Sequence, residues 1–497
     1  MDIVTAQEMY ERDQAAAEAG LAGTMLMENA GRAAAYDLVK HIQKSDRIIV
    51  WIGAGSNGGD GFVIARTLLN LGYTAEAVQV VSDEKIKGDA AVHKQIFQAS
   101  GHTVKKWTDV EDAEGYLLRA DVSIDAMLGI GVQGDLREPY KQIVQHCNEA
   151  SLLRLAVDLP TGVPADEGVE EFTAYKADYT SVIEAPKLSA FLQHTQPWYG
   201  QWSVVEIGIP SQVSPAVRRS MWTVEDVKRT LPSRDDHSHK GSHGKGLVIG
   251  GSLLMPGSAA MTSRAALRSG AGLIAIATEE GAVPSITPYV QEATFVERET
   301  MELSAYDGVA AGMGIGRGAD ARALVHHVVT HTKGPLLIDA DGLYVLKDFL
   351  GKLEKREEPT ILTPHPGEFA HLTGRSVKDV LLSPFSLAKA FARRYGVYLV
   401  LKGPSTIITA PDGEQRVDVT GNSGLAKGGS GDALAGILLT MLMQSESMLD
   451  GLSSGCVLHG HTADRVVQQG RSKVDLLATD VIEGLPGTFR TLSSSIT

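Results

Sequence analysis

The chain predicts an α/β protein of two domains, and three observations predict it. Short apolar runs alternate with helical patterns from Ile48 onward. The alternation breaks near Ile209-Pro210 and restarts at Gly246, and several apolar runs end directly in glycine-rich or polar turns. With 497 residues and 43% hydrophobic content there is material for more than one core, since domains usually run to about 100–200 residues.

In the first half the strand-like runs are Ile48 to Ile52, Thr74 to Val81, Val122 to Ile124, Leu153 to Val157, Tyr179 to Ile183 and Val204 to Ile207. Strands separated by helical patterns indicate a mostly parallel sheet. The stretch from Arg234 to Gly241 is polar and charged, and the boundary is expected between Pro210 and Thr223, giving domains over 1–215 and 223–497. The second half continues with Gly246 to Ile249, Leu273 to Ala277, Gly308 to Ala311, Leu336 to Asp339, Thr360 to Leu362, Val397 to Leu401 and Thr406 to Ala410. Ligands of open α/β sheets bind outside the carboxyl ends of strands, so Asp339, Asp341, His365 and Glu368 stand where a site is expected.

The first strand runs into Gly53-Ala54-Gly55-Ser56-Asn57-Gly58-Gly59-Asp60-Gly61, and a helical pattern follows. Gly53, Gly55 and Gly58 form a dinucleotide-type GxGxxG in the required strand-to-helix context. The amide of Asn57 and the carboxylate of Asp60 go beyond that fingerprint and suit a hydroxyl-rich ligand or a cation as well as phosphate. No Gly-Lys-Ser/Thr follows, so this is not a Walker A loop. Two more strand ends converge on it: Asp125 to Gly131, and Asp158-Leu159-Pro160-Thr161-Gly162. Asn57, Asp125 and Thr161 offer hard oxygen ligands for a monovalent or Group 2 cation, although Asp125 and Asp158 also suit the caps of following helices.

Near the C-terminus, Lys402-Gly403-Pro404-Ser405-Thr406 follows a strand, and Asn422 to Asp432 reads Asn-Ser-Gly-Leu-Ala-Lys-Gly-Gly-Ser-Gly-Asp before a helical pattern. Glycines let backbone N–H groups approach anionic oxygens, and a helix starting at Gly431 aims its positive end at the same charge. An isolated GxGD is often only a flexible turn; here strand, turn, loop and helix occur in usable order.

Together these motifs resemble a known family. Asn57 to Gly61, Asp125 to Gly131 and Asp158 to Gly162 resemble the NAD(P)H-hydrate epimerase domain, and the C-terminal motifs resemble the ribokinase-like, ADP- or ATP-dependent NAD(P)H-hydrate dehydratase, in the order of the bifunctional repair family across nearly the whole chain. The resemblance implies a Rossmann-like three-layer sandwich followed by a ribokinase-like α/β domain. It implies a first domain that interconverts the R and S hydrates of NADH or NADPH, and a second that phosphorylates the S hydrate and expels phosphate.

Carried over residue by residue, Asn57, Asp125 and Thr161 look like potassium-site residues. Asn57, Gly58, Gly59, Asp60 and Gly61, then Gly129, Ile130, Gly131, Val132, Gln133, Gly134 and Asp135, and Asp158 look like the hydrate-binding set of the first domain. Asp158 is the candidate for proton transfer at the epimerised carbon, and Asp432 resembles the dehydratase base. Lys402, Gly403, Pro404, Ser405, Thr406 and Gly431 look like adenine-nucleotide contacts, with Mg2+ bridging the phosphates. Ser258, Gly316 and His365 lie in segments that match the hydrate pocket, with departures: Ser258 stands where the family usually has Ala, and Met313 where it usually has Pro. The family also implies a homo-oligomer built through the dehydratase half. Parts of these motifs occur in metabolite kinases and dehydrogenases, and a first domain serving only as a binding module is a further reading.

A net charge of -14 argues against broad binding to nucleic acid or an anionic membrane. Small-molecule ligands captured locally fit better. Cys147 and Cys456 are the only cysteines, which argues against a disulfide framework and fits a reducing cytoplasm. Met1 to Gln14 carries Asp2, Glu8, Glu11 and Asp13 and reads as neither signal peptide nor anchor. His237, His239 and His243 lack the spacing of a metal site and read as a mobile loop.

Overall fold

A computed structural model describes residues 1–110, 112–132 and 134–493, so Gln133 of the expected hydrate-binding set lies outside the described residues. The chain forms two compact units, Met1–Val217 and the remainder from Arg218.

The first unit holds a seven-stranded parallel sheet: β1 (Arg47–Ile52), β2 (Thr74–Gln79), β3 (Val104–Lys106), β4 (Val122–Ala126), β5 (Leu153–Val157), β6 (Tyr179–Ile183) and β7 (Gln201–Val205). Their spatial order is β3-β2-β1-β4-β5-β6-β7. Side chains alternate across a strand, and β1 shows the result. Ile48, Val50 and Ile52 enter one core with the helices α1 (Ala6–Glu18), α2 (Gly23–Leu38) and α3 (Ser56–Asn70), while Ile49 and Trp51 enter another on the opposite face with Trp107 and Ile143. Apolar residues on both faces explain why these strands read as continuous hydrophobic runs, and the result is three layers. Strand order reverses between β1 and β4, the position where such sheets bind ligands. The loops after these strands touch there: a Cβ on Gly53 would lie 1.8 Å from the Met127 carbonyl oxygen.

The second unit holds a ten-stranded sheet: β8 (Arg219–Met221), β9 (Lys245–Ile249), β10 (Leu273–Ala277), β11 (Thr294–Val296), β12 (Gly308–Ala311), β13 (Leu336–Ile338), β14 (Thr360–Leu362), β15 (Tyr398–Leu401), β16 (Thr406–Thr409) and β17 (Gln415–Asp418). The order is β11-β10-β9-β12-β13-β14-β15-β16-β17-β8. Pairing is parallel from β11 to β15 and antiparallel through β16 and β17, and β8 adds parallel to β17. Here the order reverses between β9 and β12, and again the two following loops meet, Gly251 N donating to Met313 O at 2.7 Å.

Four helices of this unit matter for the site: α4 (Pro256–Arg268), α5 (Pro366–Thr373), α6 (Ser430–Gln444) and α7 (Met448–Gln468). Helix α6 crosses α4 so closely that a Cβ on Gly436 would lie 2.1 Å from Thr262 O. Cys147 and Cys456 are free and buried. The histidine segment differs from the mobile loop expected. It forms a 3-10 turn, Lys240–His243, because His239 Nδ1 accepts from Gly241 N at 3.1 Å and the buried His243 bonds Ser238 Oγ at 2.7 Å. No helix among the described residues is long and apolar enough to cross a membrane.

Candidate active sites

A cavity of about 770 Å³ opens at the carboxyl ends of β1, β4, β5 and β6. Of the residues expected there, Asn57, Asp60, Gly129, Ile130, Gly131, Val132, Asp135 and Asp158 line it. Gly58, Gly59 and Gly61 serve close packing instead: a Cβ on each would meet Gly53 O, Met27 Sδ or Ala126 Cβ at 2.1, 2.2 and 2.8 Å. Gly134 is exposed. Their neighbour Gly55 ends the loop and caps α3, so the helix N-terminus points its unpaired N–H groups toward the cavity.

Asp13, Asp60, Asp158 and Lys187, all lining the cavity, form a charge cluster, with Glu184 acting on it. Asp158 and Glu184, directly after β5 and β6, are both in the left-handed region, with φ of 67° and 61°. Such backbone costs a non-glycine residue about 1–3 kcal/mol and is retained where surrounding contacts fix it. The contacts are visible: Asp158 Oδ1 accepts from Lys187 Nζ at 2.5 Å and from Ile183 N at 3.1 Å, and Lys187 Nζ also donates to Ile183 O at 3.3 Å. The Lys187 side chain is 1% exposed. Burial, reinforced by Asp158 and Asp13, holds the Asp60 carboxyl well above the usual carboxylate range. Burial also pushes Asp13, on α1, up to about 6, with Lys187 opposing the shift and Asp158 and Glu184 adding to it.

Beside the cavity Asn57, Asp125 and Thr161 gather around the Leu128 backbone. Asp125 is fully buried and accepts from Thr161 N and Oγ1, both at 2.7 Å, and from Met127 N at 3.1 Å. Burial still pushes its carboxyl up to about 6 despite those bonds. Asn57 Nδ2 donates to the carbonyls of Leu128 and Val157 at 3.0 and 3.2 Å, which leaves its Oδ1 buried without a partner.

The second unit gathers its candidates at the β9/β12 reversal. Asp432 lies in the first turn of α6, behind Gly429 at φ 92°. Lys402 stands at the tip of the β15–β16 hairpin and donates from Nζ to Asp339 Oδ1 at 2.9 Å, with Glu368 3.8 Å away. A Cβ on Gly431 would lie 3.5 Å from Lys402 Nζ, so glycine keeps the α6 N–H groups and the ammonium side by side. Burial disfavours the charged lysine, but Asp339, Glu368 and Asp432 outweigh it and raise the Lys402 pKa. Asp432 is pushed up to about 6, first by burial and then by Asp339, while a hydrogen bond from Ser258 and the charge of Lys402 pull the other way.

Gly403, Pro404 and Ser405 form the same hairpin turn, with Thr406 Oγ1 3.4 Å from Gly403 O, and Ser405 Oγ is buried without a partner. His365 is the N-cap of α5; its Nδ1 accepts from Gly367 N at 3.0 Å, and His365 N donates to Glu368 Oε2 at 2.8 Å. Nδ1 as acceptor puts the proton of the neutral ring on Nε2. Gly316 N donates to Asp341 Oδ2 at 3.0 Å. Asp339 is followed by Ala340 at φ 53°, again a strained residue at a strand end. Among the described residues the three non-glycine residues with positive φ are Asp158, Glu184 and Ala340, all at these two sites.

The sequence reading missed Lys187 altogether and noted Asp13 only as part of an acidic N-terminus. A signal existed for Lys187: it follows β6 by four residues, where the neighbouring strands of the same sheet end in candidate residues. Among the described residues no group of three or more His, Cys, Asp or Glu side chains is arranged to hold a metal ion.

Comparison with known proteins adds an independent line. A family model described as NAD(P)H-hydrate dehydratase matches residues 246–486, and one described as YjeF-related protein N-terminus matches residues 23–189. The chain is 31% identical over 520 residues to the bifunctional NAD(P)H-hydrate repair enzyme of Moorella thermoacetica, covering 100% of this chain and 98% of that one. With its Escherichia coli counterpart it shares 32% identity over 479 residues, 95% of this chain and 90% of the other. The crystal structure of ADP/ATP-dependent NAD(P)H-hydrate dehydratase from Bacillus subtilis, co-crystallised with ATP and Mg2+, matches at 36% identity and a TM-score of 0.51, covering 56% of this chain and 100% of that chain. A ribokinase-like superfamily protein from Enterococcus faecalis shares the fold of the same part, with 23% identity, a TM-score of 0.51 and coverage of 56% and 98%.

Proposed function

The chain belongs to the family of bifunctional NAD(P)H-hydrate repair enzymes, and we propose that its two activities are divided between its two units, epimerisation in Met1–Val217 and dehydration in the unit from Arg218. The enzyme repairs hydrated NADH and NADPH by interconverting the R and S hydrates and by nucleotide-dependent removal of water from the S hydrate, with release of phosphate.

In the first unit the cavity takes the hydrate, the N-terminal end of α3 and Arg137 at the cavity wall face its phosphates, and Asp158 moves the proton. A potassium ion fits the group beside it: the orphaned Asn57 Oδ1, the desolvated Asp125 carboxylate and Thr161 are hard oxygen donors lacking a positive partner. When bound, that ion supplies positive charge next to the loop that receives the dinucleotide.

In the second unit the nucleotide phosphates lie against the α6 N-terminus, with Gly431, Lys402 and the Gly403 to Thr406 turn around them. Asp432 takes the proton of the hydrate hydroxyl as that oxygen receives the phosphoryl group. The phosphate then leaves with the C–O electron pair, and loss of a proton from the adjacent carbon restores the ring double bond. A carboxyl raised to about 6 suits a base working near neutral pH. Asp339 and Glu368 are the hard donors nearest Lys402, and Mg2+ held there would neutralise phosphate charge, retaining waters as that ion does. Ser258, Gly316 and His365 then contact the hydrate. The two free, buried cysteines suit a reducing compartment such as the cytoplasm. A homo-oligomer formed through the second unit belongs to the same reading and is checked by sedimentation.

The observation that carries this reading is the meeting of Asp432, Ser258, Lys402 and Asp339 at the start of α6. The test is recovery of reduced-nicotinamide absorbance from a mixture of R and S hydrates with Mg2+, K+ and ADP or ATP. The wild-type protein restores all of it, Asp432→Ala none, and Asp158→Ala only the S fraction beyond spontaneous epimerisation. A stable phosphorylated product would make the second unit a metabolite kinase instead.

A further inference from the structure

Epimerisation of the hydrate poses a problem of two protons. Its hydroxyl stands on the ring carbon bonded to nitrogen, so the centre is a hemiaminal and can invert without a carbanion. One group protonates the hydroxyl, which leaves as water while the nitrogen lone pair forms a C=N bond. Water then adds from the other face, and a second group takes the proton it releases. The site therefore needs one carboxyl that holds a proton and one that accepts one. Asp158 alone does not supply both, because its Oδ1 is already committed to Lys187 Nζ at 2.5 Å and to Ile183 N at 3.1 Å.

Resting on the epimerase reading of this cavity, we propose that Asp13 is the second proton-transfer group, acting with Asp158 under the common counter-charge of Lys187. Asp13 lines the cavity from α1, an element separate from the strand ends that carry Asp158 and Lys187. Its carboxylate makes no hydrogen bond among the described residues and is left facing the other charges there.

Helix α1 is held in place from several directions. Val4 pairs with Lys187 in an isolated parallel bridge, Val4 N donating to Pro186 O at 3.0 Å. Thr5 and Glu8 form a capping box, Ala6 N donates to Asp166 Oδ1 at 3.0 Å, and Arg12 pairs with Asp2. The segment that positions Asp13 is thus tied to the segment that carries Lys187.

The groups that act on Asp13 are Lys187, Asp158 and Glu184 at the ends of β5 and β6, and Asp60 on α3 is coupled to it. One buried ammonium acts on Asp158, Asp13 and Asp60 and bonds only the first, so burial of the other two is left largely uncompensated. Asp60 holds its proton far above the usual range, and Asp13 is raised to about 6. Asp13, as the proton holder, and Asp158, as the acceptor, work in both directions. From one epimer Asp13 gives its proton to the leaving hydroxyl and Asp158 takes one from the added water; from the other epimer the roles exchange. Above about pH 6 Asp13 loses its proton and the rate falls.

The experiment is chromatographic separation of R and S hydrates over time with the full chain, from pH 5 to 8. The wild-type protein must exceed spontaneous exchange; if it does not, the epimerase reading itself fails. Asp13→Asn is expected to lower the epimerisation kcat by about 100-fold or more, with KM little changed, the decline above about pH 6 abolished and S-hydrate dehydration retained as the measure of an intact chain. Asp13→Glu is expected to recover part of the rate and the pH limb. Wild-type epimerisation by Asp13→Asn, or a reduced rate with the pH limb intact, would overturn the proposal.

Discussion

The two sites use the same ingredients to opposite ends. Each places one lysine among carboxylates at a strand-order reversal, and each has left-handed, non-glycine backbone at the strand ends beside it. In the first unit Lys187 is 1% exposed and pinned on Asp158. In the second, Lys402 is 20% exposed, sits on a hairpin tip and stands beside the N–H groups of α6. Lys187 is a fixed counter-ion that opposes the rise which burial imposes on Asp13 and Asp60. Lys402 is a cation that an incoming phosphate can reach. On the proposed reading the same residue type serves proton transfer where it is locked away and anion binding where it borders a glycine loop and a helix N-terminus.

That contrast breaks most visibly at the base of the second site. Asp432→Asn is expected to reduce S-hydrate dehydration by about 1,000-fold or more while epimerisation continues unchanged, as followed by reduced-nicotinamide absorbance and by epimer separation. A matching loss of epimerisation would mean that the two chemistries are not independent.

The lysines come next. Lys187→Met strips the buried carboxylates of their counter-charge and is expected to destabilise the first unit by about 3–5 kcal/mol in urea unfolding. Lys402→Met also leaves Asp339 without its partner, but at a 20% exposed lysine it is expected to cost less, about 1–3 kcal/mol, and to raise the KM for nucleotide by about 10–100-fold. Equal destabilisation by both would erase the distinction between fixed counter-ion and available cation.

Smaller effects sharpen it. The Asp432 carboxyl, raised to about 6, must be ionised to act as a base, so dehydration is expected to fall about tenfold per pH unit below that value and to level off above it. Asp13 gives the opposite slope for epimerisation, and superimposed pH profiles of the two activities test the pair. Ser258→Ala removes the hydrogen bond that holds the Asp432 carboxyl down, and is expected to move the dehydration midpoint up by about 0.5–1 pH unit.

What the sequence made legible was local. Glycine loops joined to a strand on one side and a helix on the other gave Asn57 to Gly61 and Lys427 to Asp432, and acidic residues at strand ends gave Asp125, Asp158 and Asp339. What it hid was set by pairing far along the chain. Lys187 and Asp13 meet because Val4 bridges to Lys187, which no periodicity records. The sequence also gave no reason for the hydroxyl at Ser258, which the fold explains by its bond to Asp432. Gly58, Gly59 and Gly61 look alike as loop glycines, and only packing reveals what crowds each one. Strands β8, Arg-Ser-Met, and β17, Gln-Arg-Val-Asp, lack an apolar run and exist through their partners.

The position of β8 has a consequence for cutting the protein in two. It begins two residues after the first unit ends and completes the sheet edge of the second, pairing Arg219 to Met221 with Gln415 to Val417. Cleavage by a protease at Thr223 would carry β8 away with the wrong fragment, bare the ladder of β17 and leave the released dehydratase half prone to self-association; cleavage at Val217 would spare it.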